Sequence, residues 1–278
     1  RSAQNMKNSR VNICVKYAKK SIYGMRSLLQ QLLLRPSPTR RIMVIGSGRS
    51  GTTWLQNLIN YSNCFRVCFE PYHPSNGVIE TQYRRIYVSH GNQRSASFTR
   101  QIDLVLDGDC HNGWVDQDNG FIRYKHLLVK DVTCHFMLNA IVERRDVKIV
   151  YIIRRPFDAV RSRIIGKWLT PFDDLKDQGF FSDHPVYEEL YLDSLVADDY
   201  GRNVLWWLLE NRYVIDFFSD NVFLVSYRSL QQSSVKELDK LSKYLDFDLR
   251  DSINSIGTKS KVARINDMLD TVDEELLS

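Results

Sequence analysis

The stretch IMVIGSGRSGTTW (residues 42–54) joins a short apolar run to a glycine-rich turn. Continuous apolar runs of this kind are typical of a parallel strand that is buried on both faces. The residues from Thr52 to Asn60 fit a helix, so the stretch predicts the order strand, glycine loop, helix. In that order, the backbone N–H groups of the loop and the N-terminus of the helix together form a binding site for an anion.

Further apolar runs along the chain predict more strands of the same kind. These runs lie at 65–69, 127–129, 147–153 and 222–225. Helical patterns lie at 101–106, 133–144, 157–168, 187–218 (with a break near 199–201) and 235–245. Strands that alternate with helices indicate a parallel sheet built from βαβ units. We therefore expect an α/β fold: a P-loop-like three-layer sandwich with a central, mostly parallel sheet flanked by helices.

Three segments between these elements are expected to be loops, and they are the stretches 70–100, 107–125 and 170–186. Pro171, Gly179 and Pro185 interrupt the last of them, which predicts a surface loop there.

The composition excludes several other classes of protein. The chain has 278 residues, of which 43% are hydrophobic and 26% charged, as in ordinary globular proteins. No apolar run approaches the roughly 18–20 residues that a membrane-spanning helix needs. The net charge of +5 is too small to indicate nucleic-acid binding by itself. Five cysteines, an odd number in a chain of this length, do not indicate a disulfide framework.

The glycine loop departs from a nucleotide P-loop in one respect. Gly46 and Gly51 have the P-loop spacing, but Thr52 stands where the lysine is expected, and Thr53 keeps the hydroxyl position. Arg49 supplies a cation inside the loop instead. The run 147–153 ends in arginines rather than in an acidic residue that could hold magnesium. The loop is therefore expected to bind a phosphate-like group without a metal ion, the alternative being a glycine-rich turn that binds nothing.

Residues 49–54 (RSGTTW) resemble the 5′-phosphosulfate loop of the sulfotransferases that use 3′-phosphoadenosine 5′-phosphosulfate (PAPS). Cytosolic members carry Lys at the first position of this motif, whereas Golgi carbohydrate, tyrosylprotein and many bacterial members carry Arg. Arg49 makes the chain more similar to the second group. The resemblance implies that the loop binds PAPS through Ser47, Gly48, Arg49, Ser50, Gly51, Thr52 and Thr53. It also implies that Trp54 stacks on adenine, although a tryptophan of the core is the alternative.

A second stretch, YIIRRPFDAVRS (residues 151–162), resembles the 3′-phosphate motif of the same family. In that motif an Arg is followed by an Asp four positions later and a Ser eight positions later. Here these residues are Arg154, Asp158 and Ser162. Arg154 leaves a predicted strand and Ser162 lies in the helix that follows, so both can point at one phosphate, the Arg as a charged donor and the Ser as a neutral one. Standing alone, the stretch could also be an ordinary basic helix start.

Sulfuryl transfer needs a base for the acceptor and positive charge for the leaving phosphate. Glu70 directly follows the second predicted strand, and the tyrosylprotein and carbohydrate sulfotransferases that the chain resembles have their catalytic glutamate at a similar position. The resemblance therefore implies that Glu70 is the general base, the alternative being a surface ion pair. Lys130 matches the family's strand-end lysine and is assigned, with Arg49, to stabilising the developing charge. A structural ion pair between Lys130 and Asp131 is the alternative.

The histidine mechanism of the cytosolic members fits less well, because Val132 occupies the position of their catalytic histidine. His73 and His126 remain as fallback bases.

Two weaker resemblances concern the nucleotide. Tyr227, in the stretch VSYRSL, matches a tyrosine that helps hold the base, although Arg228 and Ser229 depart from the usual Tyr-Glu-Asp-Leu. Lys259 and Lys261 resemble a late basic loop that closes over the 3′-phosphate, the alternative being a solvated basic tail.

The N-terminal part of the chain is expected to lie outside the main domain. Residues 11–34 have apolar residues near helical spacing with basic residues between them. We divide the chain into a basic amphipathic helical extension (1–38) and a sulfotransferase domain (39–278). The helix either packs on the domain or makes a peripheral contact with an acidic membrane. The sequence shows no signal-peptide pattern, which favours the cytoplasm, while the Golgi lumen stays open if the sequence is part of a longer chain.

These observations predict a PAPS-dependent sulfotransferase that needs no metal and transfers a sulfonate group to an acceptor hydroxyl by in-line displacement. A carbohydrate or glycolipid is the favoured acceptor because the loop is of the arginine type, and another small molecule or a protein tyrosine is the alternative. Two other functions remain open at this point: a variant P-loop kinase or NTPase, and a nucleotide-binding module without catalytic activity. The sequence does not indicate an oligomeric state.

Overall fold

The computed structural model of the chain describes residues 38–89, 93–120, 124–232 and 234–252. The predicted helix at 11–34 and the predicted ligand residues Lys259 and Lys261 lie outside the described residues, so they remain predictions.

Five parallel strands form one sheet in the order β2-β3-β1-β4-β5. The strands are β1 (Arg41–Ile45), β2 (Phe65–Phe69), β3 (His126–Asp131), β4 (Val147–Ile153) and β5 (Phe223–Ser226). The first strand thus lies at the centre, and the chain winds outward from it in both directions. The prediction of an α/β fold with a parallel sheet is confirmed.

Helices connect the strands and cover the sheet. They are α1 (Thr52–Ile59), α2 (Gln93–Asp107), α3 (Leu138–Ile141), α4 (Pro156–Ile165), α5 (Phe172–Asp177), α6 (Phe180–Asp183), α7 (Glu188–Val196), α8 (Asp199–Phe218), α9 (Tyr227–Gln232) and α10 (Ser234–Leu245). Short 3₁₀ turns lie at His135–Met137, Pro185–Tyr187 and Arg250–Ser252. In the described part of the chain, no helix is both long enough and apolar enough to cross a membrane.

The apolar runs of the strands form two cores, one on each face of the sheet. In β1, Met43 and Ile45 belong to one buried cluster, whereas Ile42 and Val44 belong to the other. Because side chains alternate along a strand, a run that is apolar at every position needs cover on both faces. The two cores explain why β1 has no polar face, and they give the three layers that the sequence predicts.

The prediction of a surface loop at 170–186 is wrong. That segment forms α5, α6 and a 3₁₀ turn, and Phe172, Leu175 and Phe180 are buried in the core. Pro171 precedes α5 and Gly179 precedes α6 with a φ of 81°, so these residues separate short helices instead of marking irregular chain. The apolar residues between Pro171 and Pro185 were a better indication of buried structure than the prolines and the glycine were of a loop.

Two helix predictions also differ from the structure. Helix α2 begins at Gln93, well before the predicted start at 101. The helix predicted at 133–144 is reduced to a 3₁₀ turn followed by the short α3. The break predicted inside 187–218 is present, and Asp198 caps α8 there by accepting a hydrogen bond from Gly201 N at 2.7 Å.

The irregular segment 108–119 covers the edge strand β2. The Asn119 side chain accepts a hydrogen bond from Val67 N and donates one to Val67 O, both at 2.8 Å, as a neighbouring strand would. Arg66 pairs with the buried Asp116 at 2.9 Å. The segment 108–119 therefore covers the free edge of β2 and fixes this strand as far as its end. Glu70 directly follows that end.

Candidate active site

The strand order determines how the predicted site residues are arranged. Parallel strands end at the same edge of the sheet, which is where ligands bind in folds of this class. Glu70 follows β2, Lys130 lies at the end of β3, the glycine loop (46–51) follows β1, Arg154 follows β4 and Tyr227 follows β5. Neighbouring strands are about 4.8 Å apart, so Glu70 and the loop, two strands apart, are separated by roughly 10 Å along the sheet edge. The predicted site therefore forms one row.

The glycine loop has a backbone that ordinary residues rarely adopt. Gly51 has a φ of 97° and Arg49 a φ of 73°, both in the left-handed region. A Cβ atom on Gly51 would lie 2.6 Å from the ring of Tyr227, and one on Gly48 would lie 2.2 Å from the ring of Trp168. Two aromatic rings thus lie directly against the loop, which explains the glycines at these positions.

Hydroxyl groups of the loop suit an anionic ligand. The Ser50 Oγ atom is buried and has no hydrogen-bond partner in the part of the chain that the structure describes, although buried hydroxyl groups normally have one. The hydroxyl of Ser47 points into the protein and donates to Glu210 at 2.5 Å, so the predicted part of Ser47 in nucleotide binding would fall to its backbone N–H. Its side chain is thus already engaged. Thr52 is buried and Thr53 is exposed at the start of α1.

The two predicted phosphate motifs contact each other. The Arg49 Nε atom donates to Ser162 Oγ at 2.8 Å, and Arg154 Nη1 donates to the backbone carbonyl of Arg49 at 3.2 Å. Burial lowers the pKa of Arg49, and the nearby charge of Arg154 lowers it further. Two guanidinium groups held this close favour an anion between or beside them, because the anion relieves their mutual repulsion.

Asp158, the middle residue of the second motif, lies between the two arginines that follow β4 and hydrogen-bonds the second of them, Arg155. One of its carboxylate oxygens lies 3.9 Å from Arg154 Nε and 3.2 Å from Arg155 Nε. Ser162 is buried about one turn further along α4, on the side of the helix that faces the loop. Arg154 and Ser162 therefore contact the glycine loop directly, whereas Asp158 pairs with the neighbouring Arg155.

Aromatic side chains lie next to this pair of arginines. The rings of Trp54 and Tyr227 meet edge to face with their centroids 5.2 Å apart. The Arg154 guanidinium lies 5.0 Å from the centroid of the Tyr227 ring. These contacts bring together Trp54 and Tyr227, the two residues predicted to hold adenine, although they are far apart in the sequence.

Glu70 and Lys130 form an ion pair at the other end of the row. Lys130 Nζ contacts Glu70 Oε1 directly, and both side chains are largely buried. The same ammonium group lies 4.3 Å from the centroid of the Phe69 ring, and the indole of Trp114 donates to the Glu70 carbonyl at 3.3 Å. Glu70 has a φ of 42°, so a second predicted catalytic residue lies in the left-handed region, where strain is often associated with function.

Asp131 does not pair with Lys130, contrary to the alternative considered from the sequence. Its carboxylate accepts hydrogen bonds from Thr133 N at 2.6 Å, Thr133 Oγ1 at 2.7 Å and Tyr72 N at 3.0 Å. Burial raises the pKa of Asp131, and the charge of Glu70 raises it further. Asp131 thus fixes the turn that follows Glu70.

The fallback bases are less suitable than Glu70. His126 is the first residue of β3, so it lies at the other end of this strand from Lys130 and from the predicted site. His73 lies near the site, with its ring centroid 5.2 Å from that of Trp114, but its Nδ1 atom accepts hydrogen bonds from Ser75 N and Asn76 N.

Sequence reasoning missed a buried group of charged residues beneath the loop. Arg163 and Glu210 are fully buried and pair at 3.2 Å, and both contact Ser47. One signal was available: Glu210 follows Trp206 by four residues in an apolar helix, so the helical period places it on the buried face. Trp168 was also missed, because an aromatic residue after a helix has no distinctive pattern.

Groups of three or more His, Cys, Asp or Glu side chains that could hold a metal ion do not occur among the described residues.

Comparison with known proteins agrees with this geometry. The family model described as "Sulfotransferase domain" matches residues 39–265. No curated protein sequence matches the chain. Similar solved structures include a sulfotransferase domain from the curacin biosynthetic pathway, with 18% identity over 81% of this chain and 80% of that one and a TM-score of 0.44. A sulfotransferase from Alicyclobacillus acidocaldarius has 12% identity over 76% and 82% of the two chains and a TM-score of 0.43. A mouse sulfotransferase complexed with PAP has 16% identity over 81% and 69%, with a TM-score of 0.39.

These structural similarities are too distant to carry the assignment, which rests on the family model. The model covers both predicted phosphate motifs and all five strands. The prediction of a sulfotransferase is therefore confirmed at the level of the family, and the chain belongs to the sulfotransferase domain family.

Proposed function

We propose that the chain transfers a sulfonate group from PAPS to an acceptor hydroxyl, with a carbohydrate or glycolipid as the favoured acceptor. The observation that carries this proposal is the direct contact between the two phosphate motifs, Arg49 Nε to Ser162 Oγ at 2.8 Å. Motifs that touch can bind the two ends of one doubly phosphorylated nucleotide, whereas motifs on separate faces could not.

Residues of three strand ends would hold the donor. The loop 46–51 binds the 5′-phosphosulfate, with Ser50 Oγ as a donor that has no hydrogen-bond partner among the described residues. Arg154 and Ser162 bind the 3′-phosphate, and Trp54 and Tyr227 hold the adenine. PAPS, when bound, supplies the sulfonate group and a nucleotide phosphate as leaving group.

The chain's own residues would carry out the proton transfer and stabilise the charge. The acceptor hydroxyl gives its proton to Glu70 as its oxygen forms a bond to sulfur, while the bond from sulfur to the bridging phosphate oxygen breaks. Arg49 and Lys130 supply positive charge where negative charge develops on the leaving oxygen and the sulfonate. The ion pair between Lys130 and Glu70 holds the carboxylate in place before the acceptor binds.

The acceptor class is supported by two features. Arg49 at the first position of the loop resembles the Golgi carbohydrate members of the family, as well as the tyrosylprotein and many bacterial members, rather than the cytosolic members. In addition, the rings of Trp114 and His73 lie beside Glu70 and are partly exposed. Aromatic rings offer apolar faces against which a sugar ring can pack.

A transfer assay with radiolabelled PAPS tests the proposal across acceptor classes: oligosaccharides, glycolipids, phenols, aliphatic alcohols and tyrosine peptides. We expect label to appear in the oligosaccharides or glycolipids, without added magnesium. Label only in phenols or peptides would reject the acceptor class but keep the enzyme. Label in no acceptor, together with magnesium-dependent ATP turnover, would instead support the P-loop kinase alternative.

A further inference from the structure

A buried carboxylate joins several parts of the fold directly beneath the phosphate loop. Glu210 lies in the middle of α8 and has no exposed surface. Its carboxylate lies near side chains from four other segments: the loop after β1, helix α4, the segment before α2 and the 3₁₀ turn after β3. These neighbours are Ser47, Arg163, Arg85 and His135.

The contacts form a closed triangle on one side of the carboxylate. Ser47 Oγ donates to Glu210 Oε2 at 2.5 Å, and Arg163 Nη1 lies 3.2 Å from the same oxygen. Arg163 Nη1 also donates to Ser47 Oγ at 3.0 Å, which completes the triangle. On the other side, Arg85 Nη2 lies 3.5 Å from Oε1 and His135 Nδ1 lies 3.9 Å from it.

The charges within this group do not balance at neutral pH. Burial lowers the pKa of His135 to about 4, so its imidazole is uncharged and two arginines face one carboxylate. Burial alone would raise the pKa of Glu210, but its neighbours outweigh burial and lower the pKa to about 2. Removing charged groups from water costs free energy that their mutual attraction does not always return, so a buried ion group is weak evidence for stability. The geometry that this group imposes is the better explanation for its presence.

The triangle connects the two phosphate motifs from below. Arg163 directly follows Ser162 on α4, and Ser47 lies two residues before Arg49 in the loop. Above the triangle, Arg49 and Ser162 form the hydrogen bond between the motifs. The position of α4 relative to the loop is thus fixed twice, once at the surface by Arg49 and Ser162 and once in the core through Glu210.

We propose that Glu210 is a positioning residue that, through Ser47 and Arg163, keeps the 5′-phosphate loop and the 3′-phosphate residues at the distance that one bisphosphate nucleotide requires. This inference rests on the proposed function. It gives Ser47 a function through its side chain in the core, and it explains why the buried face of α8 contains a carboxylate.

The test compares the affinities for adenosine 3′,5′-bisphosphate and adenosine 5′-monophosphate, since only the first nucleotide needs both motifs in register. The variants are Glu210→Gln, Ser47→Ala and the double variant, and the control is Glu189→Gln, which removes an exposed carboxylate of α7. Calorimetry gives both affinities, and thermal unfolding gives the stability of each variant. Ser47→Ala leaves all the charges of the group in place, so it can test the inference even if Glu210→Gln does not fold.

We expect each single variant to lower the preference for the bisphosphate, which is its affinity divided by that of the monophosphate, by about ten-fold. This is the effect of losing one hydrogen bond to a charged group. The double variant should lower the ratio no further, because both side chains act in the same triangle. Variants that unfold at a lower temperature but keep the ratio of the wild-type protein would reduce Glu210 to a purely structural group and overturn the inference. A wild-type protein that does not prefer the bisphosphate would reject the proposed function, and the inference with it.

Discussion

Glu70 combines a left-handed backbone, a buried ion pair and a position beside the predicted donor site. Replacing it with glutamine keeps its size but removes its ability to accept a proton. We expect Glu70→Gln to lower kcat on the order of 10²–10⁴-fold, as is typical when a general base is lost. The affinity for adenosine 3′,5′-bisphosphate should stay unchanged, because no predicted nucleotide contact involves this residue.

Steady-state kinetics and calorimetry on the same preparations check this prediction. Glu80→Gln is the matched control, since Glu80 is an exposed carboxylate in the segment that follows the site. Equal turnover in Glu70→Gln and the control would rule out Glu70 as the base.

Gly51 provides a second test at the scale of single residues. Gly51 and Gly179 both have left-handed backbones, with φ values of 97° and 81°, so alanine at either position is strained. Only at Gly51 would the new Cβ also collide with Tyr227, at 2.6 Å; at Gly179 no atom of the described residues lies within 4 Å of it. Both variants should lose about 1 kcal/mol of stability from backbone strain. Only Gly51→Ala should also lose nucleotide affinity, by about ten-fold or more if the added strain reaches 1.4 kcal/mol.

Titrations of Gly51→Ala and Gly179→Ala with nucleotide show whether only the first variant loses affinity. If both bind as the wild-type protein does, the contact between the loop and Tyr227 has no effect on the ligand.

At the scale of elements, the strands were predictable because each contains a short run made mostly of apolar residues. Strands β2 and β4 have the predicted bounds, and the glycine loop follows β1 as expected. The segment 170–186 was not predictable from its proline and glycine residues, since these separate short buried helices. The site residues that follow a strand could be found from local motifs. The helical period indicates that Glu210 is buried, but the partners of Glu210 and the position of Trp168 depend on which elements pack together and could not be predicted.

The edge of β2 offers a test at this scale. Asn119 occupies both backbone groups of Val67, and it is buried. Asn119→Ala leaves a buried N–H and a buried carbonyl without partners, so we expect the free energy of unfolding to fall by about 2–4 kcal/mol. Urea denaturation measures the change, with Asn221→Ala, an exposed asparagine, as the control. A loss no larger than that of the control would mean that water replaces the side chain at this edge.

At the scale of the whole molecule, the buried ion group predicts how stability depends on pH. Burial lowers the pKa of His135 to about 4 from its ordinary value of 6.5. The unfolded chain therefore takes up a proton at a higher pH than the folded chain does. Stability should be complete above pH 6.5 and should decrease as the pH falls toward 4, by up to about 3 kcal/mol from this residue.

Denaturation at several pH values between 4.5 and 6.5 tests this, because the carboxylate of Glu210, with a pKa of about 2, stays ionised in the folded state there. In His135→Phe the decrease should be much smaller. An unchanged pH dependence in that variant would show that other groups cause it.

The central claim is that neighbouring strand ends bind the two ends of one nucleotide. The most direct measurement is calorimetric binding of adenosine 3′,5′-bisphosphate and adenosine 5′-monophosphate, without magnesium, to the wild-type protein and to Arg154→Ala. Arg212→Ala, an exposed arginine of α8, is the control. We predict that the wild-type protein prefers the bisphosphate by about ten-fold or more, and that Arg154→Ala alone loses this preference. Equal affinity for the two nucleotides, or a preference that survives in Arg154→Ala, would contradict the account.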